Sequence, residues 1–387
     1  MVDTLCRQEG ADLVVRFNGG AQAGHNVVTP DGRHHTFSQF GSGTFVPGVR
    51  TLLGPAFVLH PLALVAEEAH LQSVGVDDAF DRLWVDERAC LITPFQQAGG
   101  RLRELMRGNA AHGTCGVGFG ECVGDALTHD DVLRARDLAN PRRLRQALVD
   151  QQRRKRHELR QAESLTTAAA RQEWAWLVDP HAVDVILQLW RDLSLQVCSA
   201  NNTARHIAGA QTVVAEGAQG ILLDETHGFQ PHTTWSDCTS NHARRLLGRP
   251  ATAIGVTRTY STRHGNGPLP SHDPAWDVLP EPHNHDRGWQ GVFRRGPLDL
   301  PLLRYALKHS PVDVLAVTHC DVVLPEKLVV EQYESTTNIG PSSSHLDGVH
   351  CGLRPVDDLP TAIATALSTP LGWVSHGPTA TAKHRLL

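Results

Sequence analysis

The sequence predicts an α/β protein: a single large domain, residues 1–387, with a mostly parallel central sheet flanked by helices. Three observations predict it. Short apolar runs such as Asp12–Phe17, Val213–Val214 and Val312–Val317 read as buried strands, and each ends in a loop of glycine and polar residues. Helical stretches separate these runs along the chain. No internal repeat, low-complexity tract or linker breaks the alternation.

Composition narrows the function. Of 387 residues 41% are apolar and 20% charged, enough for a packed core. A net charge of −5 argues against a general nucleic-acid binder, which needs a basic excess. No apolar run approaches the roughly 18–20 residues that span a membrane. The eight cysteines (Cys6, Cys90, Cys115, Cys122, Cys198, Cys238, Cys320, Cys351) form no CxxC pair and no zinc spacing. With no secretory signal, they read as reduced thiols of a cytoplasmic protein. The 23 histidines are dispersed, with no HExxH and no clustered pair, and most are expected on surfaces or loops.

In chain order, Met1–Gly10 reads as a helix already under way, without an N-cap. The strand Asp12–Phe17 enters the loop Asn18–Asn26. Val27 and Val28 open the next strand, and Pro30-Asp31-Gly32 is a hairpin turn. His25 in that glycine-rich loop suits a reaction centre, although the loop alone reads more simply as a flexible hairpin with an incidental histidine. A strand begins Leu52–Leu64, and Pro61–Gln72 continues as an amphipathic helix with Glu67 and Glu68 outward. Arg82–Ile92 is a strand candidate and Pro94–Arg107 a helix. His112–Glu121 carries four glycines around Thr114, an anion nest or a flexible loop. Pro141–Glu173 reads as one long helix whose basic block, Arg153-Arg154-Lys155-Arg156, forms a solvated face rather than a nucleic-acid patch. Pro180–Leu195 is a second, more apolar helix.

The strand at Val213–Val214 runs into Glu216-Gly217-Ala218-Gln219-Gly220, a solvated turn or a site. Ala253–Tyr260 is a strand leading into the loop Ser261–Pro268. Residues 268–290 are a long Pro-, His- and Asp-rich loop, closed by Arg294 and Arg295 before the helix Leu300–His309. The strand Val312–Val317 ends in Thr318-His319-Cys320-Asp321. An Asp there suits a guanine N1–H and amino group, or a helix N-cap. Helix Asp357–Leu367, strand Gly372–Val374 and the loop Ser375-His376-Gly377-Pro378 complete the chain.

Taken together, these loops resemble the adenylosuccinate synthetase family, in the same order and over nearly the whole chain. The family's GGHNAGH loop stands here as Gly19-Gly20-Ala21-Gln22-Ala23-Gly24-His25. Its EGAQGxLLDxxHGxxPxVT block is matched almost intact by Glu216–Thr234, the most specific of the matches. YSTRxGxGPxP is matched by Tyr260–Pro270, the TKxD guanine signature in part by Thr318–Asp321, and STGPxR by Ser375–Thr379.

The resemblance implies a P-loop-nucleotidase-like sheet, usually in a homodimer. It implies a GTP- and Mg²⁺-dependent ligase that phosphorylates the 6-oxygen of IMP and then displaces the phosphate with the amine of aspartate. It further implies that His25 is the acid at the 6-oxygen, that Gly24 lends its carbonyl to Mg²⁺, and that Gln219 bonds near the purine's reacting edge. Gln22, Thr234 and the Thr114-Cys115 loop would hold the nucleotide, with Arg263 a neighbour of that site. Asp321 would read the guanine of GTP, with Ser375, Gly377 and Pro378 packed against the base. Arg294 and Arg295 would face the amino acid.

Three departures accompany the match. The family's strand–GDEGKGK–helix segment, with its Asp base and phosphate-binding lysines, precedes a helix beginning xVD, and Met1-Val2-Asp3 corresponds to that helix. The expectation is a start assigned too far downstream, the alternative a truncated relative. In the aspartate loop two arginines and two aromatics (Trp289, Phe293) stand where the family has a threonine pair and an arginine run, so another amine is open. Cys115 and Val117 replace a threonine and a basic residue, with His129 or Arg134 as a substitute for an arginine the family donates across its dimer. A non-catalytic purine-nucleotide-binding paralogue, or a partner of a complete synthetase, are the competing expectations.

Overall fold

The structure is a computed structural model of the chain, and it describes residues 1–387 except 192, 194, 285, 287, 335–337, 343–345 and 347. The described residues form two compact units. The first comprises Val2–Val27 and Arg33–Ala218; the second comprises Met1, Val28–Gly32 and Gln219–Leu387.

The first unit is built on a five-stranded sheet, in spatial order Gln196–Cys198, Leu83–Asp86, Arg50–Leu53, Leu13–Arg16 and Val213–Glu216. Every neighbouring pair is parallel. Leu13, Val14 and Val15 are fully buried, as expected of a parallel strand covered on both faces. In the register, Arg16 lies beside Glu216, so opposite charges meet at the carboxyl ends of the strands. Open α/β sheets bind ligands outside that edge.

The helices follow their caps. Pro94–Arg107 starts with Thr93 in a capping box with Gln96 and with Pro94 in the first turn, and it has the bounds the sequence predicts. The expected long helix Pro141–Glu173 is two: Pro141–Glu158 and Ala168–Val178. Thr167 caps the second, its side chain accepting from the Ala170 N–H at 3.1 Å, and a cap of that kind restarts a helix.

Two further expectations about side chains reverse. Glu67 points inward: its carboxylate accepts the backbone N–H groups of Ser38, Gln39 and Phe40 and is buried. The basic block is not a uniform solvated face. Arg153 and Arg156 are exposed, but Lys155 is 1% exposed and is bound by Glu121 at 2.6 Å and Asp125 at 2.8 Å. Histidines also gather in space: His34, His35, His60 and His70 line one cavity of about 640 Å³, with His35 Nδ1 2.6 Å from His70 Nδ1. Residues far apart in sequence meet there, which a linear spacing test does not detect.

The second unit holds two four-stranded mixed sheets. One runs Ile254–Arg258, Val314–Thr318, Leu371–Ser375, Lys383–Arg385, parallel except for its last strand. The other runs Tyr260–His264, Phe293–Asp299, Leu328–Tyr333, Cys351–Pro355. The segment expected as the loop Ser261–Pro268 therefore begins as strand, and so do Arg294 and Arg295. Cross-strand pairing explains both: Tyr260–His264 runs antiparallel to Phe293–Asp299, with Arg263 opposite Arg294. Ile221–Leu223 is a short 3-10 turn. In the long loop, Trp276 and Leu279 are buried with Tyr260; residues 285 and 287 lie outside the described residues.

Candidate active site

In the first unit the chemistry collects at the carboxyl edge of the parallel sheet. Asn18 ties two loops 200 residues apart: its side chain accepts from the Ala218 N–H at 2.9 Å and donates to the Ala218 carbonyl at 3.3 Å. Gly20 lets the first loop approach the neighbouring backbone, since a Cβ there would sit 2.3 Å from the Val58 carbonyl oxygen.

The clamp places His25 against Glu216, with Nδ1 2.5 Å from the carboxylate Oε1. Glu216 is 3% exposed and also accepts from the Ser42 N–H at 2.9 Å and from the Ser42 hydroxyl. Burial opposes its charge, but Arg16, His25 and the Ser42 bond outweigh burial and bring the carboxyl down to about 2. Arg16 is itself fully buried, donating to the Phe40 carbonyl at 3.0 Å. An anion at Nδ1 fixes the imidazole's orientation and stabilises its protonated form, so the ring can donate a proton or a hydrogen bond from Nε2. Sequence reasoning singled out His25 but gave Glu216, Ser42 and Arg16 no role. The available signal was an Arg and a Glu ending two adjacent parallel strands.

Gln22, in the same loop, has both amide atoms buried without a hydrogen-bond partner, and the Gln219 Oε1 is in the same condition. Gln219 also holds a left-handed backbone, φ +61°, as does His319 at +63°. Non-glycine residues in that region cost about 1 kcal/mol or more and cluster at ligand sites. Unsatisfied amides are what a polar ligand would complete.

The Thr114 loop differs from a vacant nest. The N–H groups of Gly113 and Thr114 donate to the Glu104 carboxylate, at 2.9 and 3.3 Å, so the protein's own carboxylate fills the position of the anion. The Thr114 side chain is exposed, and burial raises the Cys115 thiol above its ordinary range. Arg134 donates to the Arg88 carbonyl at 2.8 Å, and His129 lies 3.6 Å from Glu158. Asp125, His129 and Glu158 come close enough to share a cation. Arg154 and Lys155 already neutralise both carboxylates, however, and this donor set does not fit Mg²⁺.

In the second unit, Asp224 is 1% exposed and folds the loop that carries Thr234. Its carboxylate accepts the N–H groups of Thr226, His227 and Cys238, and the Thr234 N–H donates to the Leu223 carbonyl at 2.7 Å. Arg263 meets that loop, donating to the His232 carbonyl at 3.1 Å. Burial, and repulsion from Arg294, lower its guanidinium to about 10. Arg294 donates to the carbonyls of Gly265 and Gly267; Arg295 is buried and donates to the Asp277 carbonyl at 2.8 Å. Two like charges side by side favour an anion.

At the far end of this unit the two expected base-binding loops come together. The Cys320 N–H donates to the Ser375 carbonyl at 3.0 Å, Ser375 Oγ to the Gly377 carbonyl at 3.0 Å, and Lys383 caps the carbonyls of Gly377, Pro378 and Thr379. Asp321 is exposed beside them. Burial, then Arg258, bring His319 down to about 4, so it is neutral at neutral pH.

A parallel α/β sheet with a carboxylate-oriented histidine at its carboxyl edge has the arrangement of an α/β ligand-binding protein. The adenylosuccinate synthetase family model matches residues 1–349. Adenylosuccinate synthetase of Chlorobium chlorochromatii is 31% identical over 382 residues, covering 94% of this chain and 81% of that protein. The enzyme of Nitratidesulfovibrio vulgaris is 32% identical, covering 96% and 88%. The chain belongs to the adenylosuccinate synthetase family, whose members are GTP-dependent ligases that form a C–N bond. Solved structures share the fold. Fully ligated adenylosuccinate synthetase from Plasmodium falciparum aligns over 100% of this chain and 96% of its own, with a TM-score of 0.79 and 20% identity. A cyanophage S-2L succinoaminodeoxyadenylate synthetase bound to dGMP and dATP aligns over 99% and 90%, with a TM-score of 0.62 and 18% identity.

Proposed function

We propose that this protein joins IMP, or a closely related 6-oxopurine nucleotide, to aspartate in purine nucleotide metabolism, with GTP supplying a phosphoryl group to the 6-oxygen. The observation that carries the proposal is the His25–Glu216 pair at the sheet's carboxyl edge. A purine 6-oxygen is a poor leaving group until it bears phosphate, and the transferring group gathers negative charge that a cationic imidazole stabilises. His25 supplies that proton or hydrogen bond, and Glu216 orients it. Gln22, in the same loop as His25 and with both amide atoms buried and unsatisfied, is positioned to bond the nucleotide. In the second unit, Arg263 and the Thr234 loop offer donors to a phosphate or sugar, while Asp321 with Ser375, Gly377 and Pro378 receives guanine.

Gly24 has an exposed backbone, and a carbonyl oxygen suits Mg²⁺. Bound there with GTP phosphate oxygens, the cation would neutralise charge on the phosphates. We place the protein in the cytoplasm as a homodimer; among the described residues no helix is long and apolar enough to cross a membrane.

The amine donor carries a second reading. Arg294 and Arg295 already donate to backbone carbonyls, which reduces the guanidinium N–H groups that can receive a carboxylate and favours donors with fewer carboxylates than aspartate. The test is GDP release and product mass with MgGTP, IMP and a panel of amines including aspartate. The protein is assayed as it stands and with any in-frame upstream codons. Aspartate-dependent product is the expected result. GDP release with another amine alone would move the assignment to that donor, and none with any amine would overturn the proposal.

A further inference from the structure

We infer that Cys90 is a site of oxidative modification, attacked by a peroxide and then resolved by Cys122 into an intramolecular disulfide. The inference rests on the first unit's geometry and does not depend on the proposed substrates. Cys90 opens the short strand Cys90–Leu91 and is partly exposed, so a small oxidant can reach it. Arg134 lies beside it, its Nη1 donating to the Cys90 sulfur at 3.4 Å while also donating to the Arg88 carbonyl at 2.8 Å. Backbone bonds pin the two segments on either side: Leu91 N–H to the Leu133 carbonyl and Ala135 N–H to the Ala89 carbonyl, both 2.8 Å. The guanidinium is thus held at the sulfur rather than merely near it.

The second thiol is already in place. Cys122, on the helix Phe119–Thr128, is fully buried in the apolar cluster of Val58, Ile92, Phe119 and Val132, against which Cys90 packs. Its sulfur donates to the carbonyl of Leu91, the residue next to Cys90, at 3.6 Å. The two thiols are polarised in opposite directions. The bond from Cys122, outweighing burial and joined by Arg134 and Arg136, brings Cys90 down to about 7. Cys122 is pushed well up. Burial raises the thiols of Cys6, Cys115, Cys198, Cys320 and Cys351 as well. An accessible thiolate beside a cation, with a shielded thiol next to it, is the arrangement of an attacking and a resolving cysteine.

The chemistry balances. The Cys90 thiolate attacks one oxygen of hydrogen peroxide, the O–O bond breaks, and the departing hydroxide leaves as water, giving a sulfenic acid. The Cys122 sulfur then attacks the Cys90 sulfur, the S–O bond breaks, and hydroxide leaves as water with the Cys122 proton. Two thiols and one peroxide become one disulfide and two waters. The bond would tie the Thr114–Gly118 loop's following helix to the strand.

The full-length protein is exposed to a few equivalents of hydrogen peroxide and mapped by mass spectrometry without reduction. A Cys90–Cys122 linked peptide is expected. In Cys122→Ala, dimedone should label Cys90 as the trapped sulfenic acid. Iodoacetamide at pH 7 should modify Cys90 about tenfold faster than Cys320. Arg134→Gln, a change at a partly exposed position, should cut that rate several-fold with the fold intact by circular dichroism. Absence of the linked peptide, or equal alkylation of Cys90 and Cys320, would overturn the inference.

Discussion

Glu216 joins stability and chemistry in one side chain. Its carboxyl lies at about 2 in the folded chain, below the ordinary 4.5. A depressed carboxyl stabilises the fold above the unfolded value, and the contribution is lost as pH falls from about 4.5 towards 2. The difference corresponds to on the order of 3 kcal/mol. Glu216→Gln removes the anion from both Arg16 and His25, so it should lower stability by about 3–5 kcal/mol, the usual result of leaving a buried charge without its partner. It should also cut turnover about 10²-fold or more, within the range general acid–base groups supply. Kinetics separate the two effects: at temperatures where the variant stays folded, kcat should remain reduced. An unchanged kcat would count against Glu216 as the group that orients His25. His25 was legible in the sequence because a histidine in a glycine loop stands out. Glu216 was read there as part of a turn, since what makes it matter is a neighbour 191 residues away.

Helices and strands carry two further tests. Asp299 caps the helix Leu300–His309, accepting from the Leu302 N–H at 3.0 Å and from the Tyr333 hydroxyl at 2.9 and 2.8 Å. Burial outweighs those bonds and raises its carboxyl to about 6. The sign is opposite to that of Glu216: the contribution is full below about 3.8 and is lost as pH rises through about 6, roughly 3 kcal/mol in all. Asp299→Asn keeps a cap acceptor. Urea midpoints between pH 4 and 7 should therefore fall less with rising pH in the variant than in the parent protein. Lys155 makes the complementary case. It is bound by Glu121, Asp125 and Glu158, so Lys155→Met should remove a buried charge-assisted bond while Arg103 and Arg154 still pair with those carboxylates, and cost about 1.5–3 kcal/mol in chemical denaturation. The sequence marked where most helices begin because caps and prolines are local signals. It hid Lys155 and Glu67, since which face of a helix is covered depends on what packs against it. The strands Leu328–Tyr333 and Cys351–Pro355 were not anticipated either. Their pairing with each other and with Phe293–Asp299 gathers residues from three separate segments.

At the scale of the whole molecule, ordered loop matches exposed the family where single loops were ambiguous, because five short motifs in fixed order constrain one another. A nucleotide at a hundred times its Kd stabilises a fold by about 2.7 kcal/mol. GTP should accordingly raise the melting temperature by several degrees, ATP by much less, and Asp321→Asn should erase the difference; equal shifts with both nucleotides would argue against a guanine-reading Asp321. The sheet of the first unit has one more consequence, for the birth of the protein. The strand Leu13–Arg16 pairs on one side with Arg50–Leu53 and on the other with Val213–Glu216. A ribosome adding about 5–20 residues per second needs roughly 10–40 s to make the 200 residues between the first strand and its distal partner. Through that interval the strand's open hydrogen-bonding edge faces the cell, and the clamp from Asn18 to Ala218 cannot close. The pair of His25 and Glu216 is then among the last features of this unit to form, and a nascent chain stalled before residue 213 should be a client for chaperones.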